Sequence, residues 1–181
     1  MKKFWLVAVI LFGLFGAAQA GELDNCNFVE KDRAVMDSFF KTGKYKNSKS
    51  GILCYREKEG SGSIVYFIFI KRGIAAGISK AFYFQEDQDP ILVHNVIFKD
   101  GIKDGQFFEN YINGNKKAEG FYYKNRINGT YKTYLEDGSL DLIIEFKQGK
   151  AVSGKCSNGK KLSKDLIDRL NDGEDVACSE N

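Results

Sequence analysis

One short phrase recurs along this chain, and it sets the size of the units from which the fold is built. Its clearest copy is Phe98-Lys99-Asp100-Gly101-Ile102-Lys103-Asp104-Gly105. Ile70-Lys71-Arg72-Gly73-Ile74-Ala75-Ala76-Gly77 is an earlier copy. Tyr123-Lys124-Asn125-Arg126-Ile127-Asn128-Gly129 and Phe146-Lys147-Gln148-Gly149-Lys150 come later. Phe40-Lys41-Thr42-Gly43-Lys44 reads as a worn first copy. The copies start at 40, 70, 98, 123 and 146, so the step shrinks from 30 to 23 residues. A period in that range marks stacked supersecondary units, which bury a continuous core only together. Such an array offers a surface, whereas an enzyme needs a convergent pocket.

The residues between the copies read as strands from about 52 to 156. Ile64 to Ile70 is an unbroken run of β-branched and aromatic residues, apart from nothing polar, which predicts a strand buried on both faces. Phe82-Tyr83-Phe84 and Ile91-Leu92-Val93 follow, separated by a polar turn with the only proline, Pro90. Asn113-Gly114, Asn128-Gly129, Asp137-Gly138 and Asn158-Gly159 are hairpin signals, because such pairs suit turns that need positive φ. This punctuation leaves no room for crossover helices, so the sheet is expected to be an antiparallel meander.

Helical spacing occurs only at the two ends. Phe28, Val29, Val35, Met36, Phe39 and Phe40 predict a helix over 28–40, with Gly43 as its stop. Ser163 is a candidate cap for a helix over 164–172, with Leu162, Leu166, Ile167 and Leu170 on one stripe and Gly173 after it. That second helix would cover the last strand, whose edge is otherwise unpaired.

The first twenty residues read as an address. Met1-Lys2-Lys3 is basic, Phe4 to Phe15 is apolar apart from Gly13, and Ala18-Gln19-Ala20 supplies small residues. This predicts a signal peptide over 1–20, cleaved between Ala20 and Gly21. An uncleaved anchor fits less well, since the apolar stretch is about 12 residues and a span needs roughly 20. A lipidated Cys26 is disfavoured by Asp24 and Asn25 just before it. The remaining chain, 21–181, suits one domain, exported to the periplasm or secreted, with no transmembrane anchor after cleavage.

Removing Lys2 and Lys3 takes the formal charge from +3 to +1. A nucleic-acid binder would carry far more Lys and Arg than acid, so that class is set aside. The four cysteines, Cys26, Cys54, Cys156 and Cys178, read as two disulfides in an exported chain. Cys26–Cys54 and Cys156–Cys178 are favoured, because each pair flanks one end of the array. Each bridge would contribute roughly 3 kcal/mol. Tying the N-terminal pair to the C-terminal pair is the rival connectivity. No C-x-x-C spacing supports a redox or zinc motif.

Aligned further, Gly105-Gln106-Phe107 leads to Tyr111-Ile112-Asn113-Gly114-Asn115, and Gly129-Thr130-Tyr131 leads to Tyr134-Leu135-Glu136-Asp137-Gly138. This scheme resembles the MORN repeat, in the variant found in bacterial exported proteins, some of which are described as antitoxin components. The resemblance is best over about 98–160 and weaker over 64–97. It departs at Arg126, which stands where other copies have Gly. The resemblance implies an all-β repeat: an elongated, twisted antiparallel β-meander of MORN-like hairpins, over about 64–160, with short N- and C-terminal helices. It implies binding to proteins, lipids or other copies, and no activity.

His94 is the only histidine, and its context Val93-His94-Asn95-Val96 reads as a strand position rather than a catalytic base. With one His and the cysteines paired, Ser–His and Cys–His schemes are set aside. Glu86, Asp87 and Asp89 crowd one turn beside Pro90 without calcium-loop spacing, so they read as a solvated turn. No cofactor and no metal is implied. The aromatics are the richest resource: Phe107, Phe108, Tyr111, Phe121, Tyr122, Tyr123, Tyr131 and Tyr134 could form cross-strand ladders. Most such rings pack in cores. The candidate partner-binding set is Phe107, Tyr111, Tyr122, Tyr131 and Tyr134. These readings predict an exported, non-enzymatic binding or scaffold module for a protein or envelope component. An immunity or antitoxin-like role is implied by the resemblance alone, and an enzyme using carboxylates is the weakest alternative.

Overall fold

The computed structural model describes residues 26–180, so the expected signal peptide lies outside the described residues. The chain forms β1 (Phe28–Glu30), α1 (Arg33–Thr42), β2 (Gly51–Glu59), β3 (Gly62–Lys71), β4 (Ile74–Ala75), β5 (Gly77–Phe84) and β6 (Ile91–Lys99). It continues through β7 (Ile102–Lys103), β8 (Gly105–Asn110), β9 (Lys116–Tyr123), β10 (Arg126–Ile127) and β11 (Gly129–Tyr134). β12 (Leu140–Lys147), β13 (Lys150–Cys156) and α2 (Lys164–Asn171) complete it, with a 3-10 turn at Cys178–Glu180.

Among the described residues all the strands join one 13-stranded sheet in the order β1-β2-β3-β5-β6-β8-β9-β11-β12-β13, with β4, β7 and β10 as short side pairs. Every pairing is antiparallel except β1 with β2, which is parallel. The meander expected from the punctuation is therefore present, with one parallel strand added at its edge.

The repeated phrase is a turn followed by a kink. Lys71 pairs with Ile74, Lys99 with Ile102, Tyr123 with Arg126 and Lys147 with Lys150, so each copy closes a two-residue hairpin. Both central residues have positive φ in each: Arg72 and Gly73, Asp100 and Gly101, Lys124 and Asn125, Gln148 and Gly149. That is the type I′ turn, whose twist matches its strands. The turns correct the sequence alignment. The third copy starts at Tyr122, not Tyr123, and Asn125 rather than Arg126 occupies the glycine position. The last three copies, beginning at Phe98, Tyr122 and Phe146, are then evenly spaced.

Each of the last three turns also docks on the previous one. The amides of Gly101, Asn125 and Gly149 donate to the carbonyls of Ala75, Lys103 and Ile127. The Asn-Gly and Asp-Gly pairs at 113–114, 137–138 and 158–159 have a different geometry from the phrase. Only the glycine has positive φ, while the Asn or Asp carboxamide or carboxylate oxygen accepts from the amide two residues on. These are three-residue loops with a bulge.

Two sequence expectations fail at the N-terminal end. The helix does not span 28–40, because Phe28–Glu30 pairs with β2 and Asp32 caps α1 by accepting from the Ala34 and Val35 amides. Phe40–Lys44 is not a hairpin copy. It is the end of α1, with Gly43 as a left-handed cap donating to the Phe39 carbonyl at 2.7 Å.

β3 is buried on both faces over only part of its length, since Val65, on the Phe69 side, is fully buried. Ile68 and Ile70 are in the core, but Phe69 is 42% exposed. Both helices lie on the other face from Phe69. α1 buries Met36 and Phe39 against Leu53, Tyr55, Ile68, Ile70, Val96 and Phe98. α2 buries Leu166 with Leu142, Ile144 and Cys156 close by. Ser163 caps α2 through Leu166, as its position in the sequence predicts.

Cys26–Cys54 and Cys156–Cys178 are both bonded, with Cα separations of 5.7 and 5.6 Å. Among the described residues no helix is long and apolar enough to cross a membrane.

Candidate functional site

Strand neighbours directly opposite one another share a face, so the register sorts the candidate residues. Phe107, Tyr122 and Tyr131 fall together on the helix-covered face. Phe107 is buried, with its ring centroid 4.4 Å from Tyr122 and 6.1 Å from Tyr131. Gly120 leaves room for the stack, since a Cβ there would stand 2.9 Å from the Phe107 ring and 3.1 Å from that of Tyr131. Burial, then the Glu109 carboxylate, pushes the Tyr131 phenol up to about 12 and raises Tyr122.

His94 stands beside this stack with Nδ1 3.8 Å from Glu109 Oε1. Burial lowers its pKa, the Glu109 charge opposes that, and Lys103 adds to it. Lys103 is itself lowered by burial. This is a half-buried polar edge to an aromatic cluster. Among the described residues, no three His, Cys, Asp or Glu side chains are grouped to hold a metal ion. Glu86 and Asp87 are exposed in the loop between β5 and β6, apart from this group.

Tyr111 and Tyr134 do not join the stack. The Tyr111 phenol donates to the Tyr134 carbonyl at 2.9 Å, and the Tyr134 phenol donates to Glu119 Oε1 at 2.7 Å. They tie the bulged loop of one hairpin to the next, helped by Asn113 and Asn115, whose side-chain amides both donate to the Glu136 carbonyl.

The face that neither helix covers carries a set of residues outside the candidate list. Ile52 pairs with Phe69, and Ile78 pairs with Ile97. Phe121 on β9 stands further along the same face, opposite Gln106. Phe69 is 42%, Ile78 55% and Phe121 39% exposed. A row of apolar side chains in the open is the kind of surface that soluble proteins use for association. The Phe67, Phe82 and Phe84 rings lie beside it on the same face, with Phe67 and Phe82 6.0 Å apart.

This row has a simple origin in the repeat. The first residue of each phrase, Ile70, Phe98 or Tyr122, packs in the core or against it. The residue before it must then point the other way. Those residues are Phe69, Ile97 and Phe121, all apolar. In the last copy the position is Glu145, which accepts from Thr130 Oγ1 at 2.7 Å, and the apolar row ends there. Alternation within the phrase was the signal that could have found these residues.

No family model matches the chain, and no curated protein matches it. Among solved structures, TarM is similar over 76% of this chain and 25% of its own length, at 15% identity and a TM-score of 0.34. The GtfA/B complex is similar over 64% of this chain and 22% of its own, at 19% identity and a TM-score of 0.33. The chain thus spans about a quarter of the solved structures it matches.

Proposed function

We propose that this protein is an exported, non-enzymatic binding module that engages a protein or envelope component through the uncovered face of its sheet. The observation that carries this reading is the exposed row of Phe69, Ile78 and Phe121 on a face that neither α1 nor α2 reaches. Leaving such side chains in water forgoes roughly 1.5–3 kcal/mol each relative to full burial, so a partner has much to gain by covering them.

Export is supported by the basic start, the apolar stretch and Ala18-Gln19-Ala20, together with two disulfides of a kind that persists outside the cytosol. The even spacing of the last three phrase copies and their docked turns support a MORN-like array as the scaffold of that face.

Affinity capture from the native envelope fraction tests the reading. The wild-type protein is expected to retain a defined partner that Phe69→Ser with Ile78→Ser loses. Capture of the same set by both proteins would reject it.

A further inference from the structure

We infer that the partner of the uncovered face is an acidic protein segment, which lies along the apolar row between lysines on either side. This inference rests on the function proposed above and adds the chemistry of the partner. The charges on this face are unevenly sorted. Outward-facing positions on β2, β3, β5 and β6 hold Arg56, Lys58, Lys71, Lys80 and Lys99, and no Asp or Glu. The acids of β2 face the other way, where Glu57 accepts from the Tyr55 and Tyr66 phenols.

The lysines flank the row. β3 and β5 run antiparallel, so Lys71, two residues after Phe69, lies on the turn side, and Lys80, two after Ile78, lies on the far side. Lys99 is already held by Asp104 at 2.9 Å. The sorting stops at β9, where Glu119 is paired with Lys116 and Lys132. An apolar strip flanked by the positive charges of Lys71 and Lys80 complements a chain that alternates apolar side chains with carboxylates.

Two features favour a protein segment over an anionic bilayer. A twisted sheet turns by roughly 20–25° per strand, which a chain can follow and a plane cannot. Glu119 and Glu145, on the same face, would also be pressed against anionic headgroups.

The test uses the disulfide-bonded protein and three probes: a labelled peptide alternating Glu and Asp with Leu and Phe, its Lys-substituted counterpart, and phosphatidylglycerol vesicles. The acidic peptide is expected to bind, and to bind at least tenfold more weakly to Phe69→Ser with Ile78→Ser and to Lys71→Glu with Lys80→Glu. The Lys-substituted peptide should bind only the Lys71→Glu, Lys80→Glu protein, and the vesicles should bind neither. Val152→Ser, at an exposed position on β13, should bind like wild type. Equal affinity of wild type for both peptides, indifference to both double substitutions, or binding to vesicles alone would overturn the inference. If envelope capture still depends on Phe69 and Ile78 while the acidic peptide fails to bind, the proposed function stands and the acidic partner does not.

Discussion

The phenol of Tyr111 donates a 2.9 Å hydrogen bond to the carbonyl of Tyr134, one hairpin unit further along the chain. Tyr111 therefore acts as a latch between units. Tyr111→Phe keeps the ring and removes the donor, leaving the half-buried carbonyl without it. The expected loss is about 1 kcal/mol, or about 2–4 °C in melting temperature, measured by thermal denaturation. Binding through the outer face should be unchanged.

Gly43 makes a second tight junction. Its backbone is left-handed at φ 66°, and a Cβ there would collide with the Gly101 carbonyl. Gly60 is also left-handed, at φ 54°, but nothing lies within 4 Å of its Cβ position. Gly60→Ala should therefore cost about 1 kcal/mol, from backbone conformation alone. Gly43→Ala should cost at least twice that, since α1 must shift off the turn at Gly101. Equal effects in chemical denaturation would contradict this account of the junction.

The N-terminal end carries a titrating pair. Burial favours the neutral Glu30 carboxyl, but hydrogen bonds from Lys46, Tyr45 and the Asp32 and Lys31 amides outweigh it and hold the pKa at about 2. The folded value lies below the unfolded one, near 4.3. Ionised Glu30 thus stabilises the fold above about pH 4.5, and that contribution fades as pH falls towards 2. Burial, then the Glu30 hydrogen bond, raises Tyr45 to about 12. Its contribution is present below about pH 10 and is lost as pH rises through 12. Glu30→Gln should flatten the acid limb of a stability–pH curve, and Tyr45→Phe the alkaline limb.

Asn171 closes the last edge of the sheet. Its carboxamide oxygen accepts from the Ala151 amide at 2.8 Å, and its NH2 donates to the Ala151 carbonyl at 3.1 Å, as a neighbouring strand would. Asn171→Ala should expose that pair and promote edge-to-edge association, seen as concentration-dependent oligomers in light scattering. Replacing Cys156 and Cys178 by Ser should cost roughly 3 kcal/mol and act in the same direction, because it frees the segment that holds α2.

Much of the scaffold was legible in the residues because turn chemistry is local. The turns at Asn113-Gly114, Asp137-Gly138 and Asn158-Gly159 and the Ser163 cap follow from neighbours in sequence, and both cysteine pairings from their places at the two ends of the array. The spacing of Phe28 and Val29 fits a helix, while the pairing with β2 that makes them a strand is a tertiary contact. Asn125 hides the third turn in the sequence because it stands where the other copies have glycine, although Asn tolerates that backbone.

The candidate site was less legible. Phe107, Tyr122 and Tyr131 do come together, but on the face shared with the helices. Which face α1 and α2 would cover could not be read from the strands alone, and that choice is what leaves Phe69, Ile78 and Phe121 outside.

The central claim is that the uncovered face is where this protein meets its partner. Photo-crosslinking in intact cells tests it most directly, with a benzophenone amino acid placed at Ile78 on that face, or at Lys41, exposed on α1 on the opposite side of the sheet. The account predicts a specific high-mass adduct from position 78 that Lys71→Glu with Lys80→Glu removes, and none from position 41. Adducts from position 41 but not from position 78 would contradict it.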